Sequence, residues 1–204
     1  MAENYITASC VISNQTVLKN GQSLFENNDA DLQSFLLSTY NHFELNYPKF
    51  YKMDLLSKLG WLASEVLLKD SFPKDQYSPD EIGIVLSNTN SSLDSDIKYL
   101  ASVQDFASPA LFVYTLPNIV IGEICIRNKF KGENAFFVFD EFDVDFTAQY
   151  VNNLLEKGIL KACICGWVEV LNNNYKVVLY LAEKEKRSEG IPFTKENMKA
   201  IFES

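Results

Sequence analysis

Four carboxylates crowd one short stretch: Asp140, Glu141, Asp143 and Asp145 close the segment GENAFFVFDEFDVDF, directly after the apolar run Ala135–Phe139. Several carboxylate oxygens in one place are what a hard cation takes. The simpler role is helix capping, with Asp143 as N-cap and Asp145 in the first turn, where both oppose the helix dipole favourably. Capping is the reading adopted, with a metal site or a Glu141 that fills a pocket as the alternatives. Asp140 and Glu141 are adjacent, so they do not form a hydrolase pair facing each other across a substrate. The turn Thr89-Asn90-Ser91-Ser92 follows an apolar strand, where an anion is often held. It lacks a glycine-rich phosphate pattern and reads as a plain polar turn. Cys163 and Cys165 place two thiols on one strand face without further metal ligands in view. With Cys10 and Cys125 they sit inside apolar segments, as buried reduced thiols do. The single histidine, His42, lies in a helical region and reads as an ordinary, partly exposed side chain.

These residues need elements to position them. YITASCVI is a strand, and the stretch from Asn14 to Asp31 reads as loop with short turns. Helical spacing appears at Leu32, Phe35, Leu36 and Phe43, then at Met53, Leu56, Leu59, Leu62, Val66 and Leu67. IGIVLSN is a buried strand that runs into the polar turn NTNSSLDSD. After Pro117, residues Ile119, Gly122, Glu123 and Ile126 keep helical spacing. AFFVF is the next strand, and VDFTAQYVNNLLEKG is a helix stopped at Gly158. ILKACICGWVEV and YKVVLYLAEK form a hairpin about Leu171-Asn172-Asn173-Asn174. The last residues, 184–204, are polar with a small helical tail. The expected product is one α/β domain over 1–204, with a five-stranded, mostly parallel sheet, helices on both faces and a final antiparallel hairpin.

Composition narrows the function. In 204 residues with 47% hydrophobic content there is material for one sizeable core. No run of about 18 apolar residues exists to span a membrane, and the start MAENYITASC lacks the pattern of an export signal. A cytoplasmic setting is expected. The formal charge of −9 excludes a nucleic-acid backbone partner, which calls for clustered Lys and Arg. No Gly-x-Ser-x-Gly elbow, zincin motif or dinucleotide fingerprint occurs, and no cofactor is expected.

Several local patterns, in order, carry a resemblance. They are IGIVLSNTNSS, then Pro117-Asn118 with Gly122, then Lys131-Gly132-Glu133-Asn134, Lys157-Gly158 and Gly166-Trp167-Val168-Glu169. Over roughly residues 4–183 the chain resembles the N-terminal half of β-ketoacyl-acyl-carrier-protein synthases, the condensing enzymes of fatty-acid and polyketide synthesis. The resemblance implies half of a thiolase fold. Counting forward from Gly132, it puts the family's nucleophilic cysteine at Glu141, a residue that cannot readily carry the acyl thioester. The family's two catalytic histidines lie in a C-terminal half with no counterpart here.

The resemblance therefore implies a chain that does not itself condense acyl groups, in a fatty-acid or polyketide-type pathway. It would act as an accessory subunit, through association with a full-length ketosynthase or with itself, because an isolated half should expose apolar surface. The alternatives are an acyl-chain or small-ligand binding module, with Asp140, Glu141, Phe142 and Asn118 as pocket candidates, and residual synthase activity shared with a partner chain. Acyl carrier proteins are acidic, so Arg127, Lys129 and Lys131 are the candidates for docking one.

Overall fold

The computed structural model describes residues 4–28, 30–104, 106–187 and 189–204. In chain order the strands are β1 (Tyr5–Ser13), β2 (Thr16–Lys19), β3 (Gln22–Glu26), β4 (Ile82–Asn88), β5 (Asn134–Val138), β6 (Ala162–Leu171), β7 (Asn174–Glu183) and β8 (Ile191–Pro192). The helices are α1 (Leu32–His42), α2 (Leu55–Leu68), α3 (Leu93–Val103), α4 (Pro109–Phe112), α5 (Ile119–Asn128), α6 (Val144–Glu156) and α7 (Lys195–Phe202). Asp31 and Asp54 start α1 and α2 as side-chain caps, accepting from the amides of Ser34 and Ser57. Each cap satisfies a donor that the first helical turn leaves unpaired.

All eight strands form one sheet in the order β3-β2-β1-β7-β6-β4-β5, with β8 beside β1. The expectation of five strands is corrected to eight among the described residues. Strand β8 was not foreseen, and the segment read as loop contains the β2–β3 hairpin. It turns at Asn20-Gly21, both with positive φ, the geometry that a two-residue hairpin turn requires. Only Val17 of this hairpin is buried, so the alternation that marks a half-buried strand is absent. Among the five foreseen strands, β1, β4, β5 and β6 run one way and β7 runs against them. Because β7 sits between β1 and β6, only the two pairings of β4 are parallel.

Helices cover both faces. On one face α1, α2 and α5 bury a large core that includes Trp61, Leu62, Val120 and Ile124. On the other, α6 and α7 pack over Cys163, Cys165, Trp167 and Tyr180. The segment 184–204 is polar in composition, yet it seats Phe193 and Met198 in this second core. The Tyr180 hydroxyl ties it down by donating to the Met198 carbonyl at 2.7 Å.

Strands β6 and β7 approach most closely at Gly166. Its φ is +144°, and a Cβ there would overlap the carbonyl of Val178. Gly166→Ala is expected to cost about 3 kcal/mol or more, since neither backbone can yield without breaking the ladder. Urea denaturation measures this, and a loss below about 1 kcal/mol would contradict the packing described.

Candidate functional site

The acidic turn is built by the end of β5 and the start of α6. The Phe139 amide extends the β4 ladder by donating to the Asn88 carbonyl, and the Thr89 hydroxyl donates to the Asp140 carbonyl at 3.1 Å. Asp143 is the N-cap of α6, accepting from the Phe146 amide at 2.8 Å. Asp145 occupies the first turn and pairs with Lys195 on α7 at 3.2 Å, an exposed contact that contributes little. Glu141 lies two residues ahead of the cap, exposed, with no hydrogen bond or ion pair among the described residues. The helix dipole is therefore opposed by Asp143 and Asp145. Among the described residues no group of three or more His, Cys, Asp or Glu is placed to hold a metal.

Phe142 turns inward. It packs on Trp167, Tyr180 and Phe202, with ring centroids 5.7, 6.4 and 4.9 Å away. Phe142, next to the exposed Glu141, is thus part of the core, and Phe202 of α7 packs on it. Lys176 holds Phe202 in place by donating to its carbonyl at 2.6 Å and lying over its ring. Asn118 precedes α5 on the opposite face of the sheet and is exposed. The four pocket candidates do not converge.

Of the three basic candidates, Arg127 is already engaged. It pairs with Glu65 at 3.1 Å and lies over the rings of Tyr47 and Trp61. Lys129 and Lys131 are exposed at the end of α5 and just before β5. The Thr89–Ser92 turn does hold an anion, and the anion is the protein's own: Glu169 of β6 accepts from the amides of Thr89 and Asn90 at 2.7 and 3.3 Å. His42 is exposed and lies against Phe25 in a tilted ring contact, 4.6 Å between centroids. Burial pushes the Cys10 thiol up to about 12 and raises those of Cys163 and Cys165 as well, so these sulfurs stay protonated and inert.

Helix α3 was missed as well. It falls in a stretch read as a polar turn, and it is amphipathic in the inverted sense. Asp94 and Ser95 face inward, 8% and 3% exposed, while Ile97 and Leu100 are 52% and 69% exposed. Its attachments to the strands and to α2 are polar: Asp94 accepts from the Asn172 amide and the Ser95 hydroxyl donates to Asp54. Toward α4 the Ser92 hydroxyl donates to the Thr115 carbonyl, and Tyr99 packs on Phe112 with ring centroids 5.3 Å apart. Leu93, Val103, Phe106, Phe112, Val113 and Leu116 extend the exposed apolar surface over α4 and the turn after it. Strand β5, also carrying an exposed Val138, forms the outer edge of the sheet.

The arrangement of sheet and helices has counterparts among solved structures. The ishigamide ketosynthase/chain length factor matches at TM-score 0.67 and 16% identity, over 93% of this chain and 64% of that one. The fold is that of a ketosynthase. This chain spans about two thirds of that relative's length. A chain in the complex of the ketosynthase ApeO with its chain length factor ApeC, from Xenorhabdus doucetiae, matches at TM-score 0.62 and 13% identity. There the alignment covers all of this chain and 91% of the other, so the two are nearly equal in length. A β-ketoacyl synthase from Burkholderia phymatum STM815 matches at TM-score 0.61 and 10% identity, over 98% of this chain and 61% of that one. No protein-family model and no curated protein sequence matches the chain.

Proposed function

We propose that this protein is a ketosynthase-like accessory subunit of a fatty-acid or polyketide-type pathway in the cytoplasm, without condensing chemistry of its own. It acts by association with a full-length ketosynthase or with a second copy of itself. The observation that carries this reading is α3, whose apolar face points outward while its acid and serine point in. A helix so arranged buries little by itself and is stabilised when another surface covers it.

The edge of β5 supports the same reading, since its outer N–H and C=O groups offer a strand-pairing site. Lys129 and Lys131 precede β5, and Asp140 and Glu141 follow it. An antiparallel edge strand with the same layout would set opposite charges against each other at both ends. The packing of Phe142 into the core favours scaffolding over a ligand module at that position. Lys129 and Lys131 remain the candidates for meeting an acidic carrier protein.

Two measurements test the proposal. Solution mass is measured alone and with a full-length ketosynthase from the same organism, and a stable complex or a dimer is expected. A monomer that ignores the ketosynthase at micromolar concentration sinks the subunit reading. Intact-mass analysis after incubation with an acyl thioester is expected to show no acyl adduct on this chain, and an adduct would restore a catalytic role.

A further inference from the structure

We propose that the groove between α7 and the β1–β2 hairpin binds an uncharged, mainly apolar small molecule, anchored by the Ser9 hydroxyl. The groove is on the far side of the sheet order from β5, and none of its lining residues belongs to the acidic turn or to α3. Its volume of about 420 Å³ falls within the range of small-molecule sites, roughly 300–1,000 Å³.

A bulge in β1 creates the floor. The register against β7 slips between Ile6 and Ala8, so Ile6, Ser9 and Val11 all face the α7 side while Ala8, Cys10 and Ile12 face α2. Leu18 from β2 and Ile201 from α7 complete apolar walls. Ser9 is 6% exposed, and its amide is satisfied by the Asn20 carboxamide oxygen at 2.8 Å. Its hydroxyl has no protein partner among the described residues. The hydroxyl oxygen is not sealed from solvent: it opens onto the groove, where a ligand atom can replace water as its partner.

Charge selects the ligand class. Among the described residues no Lys or Arg lines the groove, and Glu189 is the one charged side chain that does. A carboxylate or phosphate would enter without a counter-charge and against Glu189, at a desolvation cost that nothing offsets. An alcohol, ketone or ester on an aliphatic body meets Ser9 as donor or acceptor and loses nothing at the walls.

The test uses 1-decanol and its anionic counterpart decanoate, with methyl chemical shifts of Ile6, Val11, Ile191 and Ile201 as the readout. Decanol is expected to move these signals saturably, and decanoate to bind at least tenfold more weakly. Ser9→Ala should weaken decanol by about threefold to tenfold, the fold-change of one net hydrogen bond. Ala200→Trp replaces an exposed groove residue, leaves the cores untouched and should abolish the shifts. Unmoved methyls, equal binding of alcohol and carboxylate, or undiminished binding to Ala200→Trp would each overturn the proposal. So would groove signals that shift with protein concentration alone while Ala200→Trp converts a dimer to a monomer, which would make the groove an interface between copies.

Discussion

Replacing Ile97 and Leu100 together by glutamine is expected to weaken association by 100-fold or more while changing stability by less than about 1 kcal/mol. Both side chains already lie in solvent, so the folded monomer loses little burial when they change. Glutamine is nearly as good a helix former as leucine, so α3 itself should persist. At an interface the balance reverses: fully burying such a side chain is worth about 1.5–3 kcal/mol, and each 1.4 kcal/mol is a factor of ten. Asp94→Ala is the informative counterpart. It removes the acceptor for the Asn172 amide and the partner of Lys98, and should cost about 1–3 kcal/mol of stability in the monomer. Urea denaturation and the mass of the complex with the ketosynthase read the two effects separately. Unchanged association in the double variant would remove α3 from the interface, and a large loss of stability would mean that its apolar face is packed in the monomer.

The same helix shows where sequence reasoning stops. Leu93, Ile97 and Leu100 keep helical spacing, so the period was available. The start Ser91-Ser92-Leu93-Asp94-Ser95-Asp96 looked like turn chemistry, and an apolar stripe is normally taken to face a core. Nothing local says that a stripe faces outward, because that is decided by what the rest of the fold puts behind the helix. By contrast, α2 and α6 were legible because their apolar stripes face a core and their caps agree with their ends. Helix α5 was legible as a helix but not in its orientation, since Val120, Ile121 and Ile124 face the core and Ile126 is exposed. The turn after β5 was half legible. Asp143 was recognisable as a cap from its spacing, whereas the inward turn of Phe142 onto Phe202 joins residues 60 positions apart and left no local trace. The anion held at Thr89-Asn90 was equally hidden, since Glu169 is a neighbour only through the pairing of β4 with β6.

The C-terminal segment held a second concealed feature, and it carries the other large effect. Glu183, at the end of β7, is fully buried, and its carboxylate accepts from four donors. Arg187 gives two bonds, at 2.8 and 2.6 Å, and the hydroxyls of Tyr77 and Thr7 give the others. Burial and the Glu183 carboxylate push the Tyr77 hydroxyl well above its ordinary value, so it remains a donor at any pH the protein meets. The cluster joins β1, the loop before β4 and the chain leading to α7. Arg187→Met leaves a carboxylate without its counter-charge in a place water does not reach, and should cost about 3–5 kcal/mol. Glu183→Leu strands Arg187, Tyr77 and Thr7 and should cost a similar amount, somewhat reduced because Arg187 keeps some contact with solvent. The combined Glu183→Leu, Arg187→Met variant should recover much of either loss, because replacing a whole buried pair by apolar groups of similar volume is far less costly than breaking it. A double-mutant cycle in urea measures the coupling. Single losses below about 1 kcal/mol, or strictly additive ones, would mean that this end of the sheet admits water and that the cluster does not lock the segment leading to α7 onto β1.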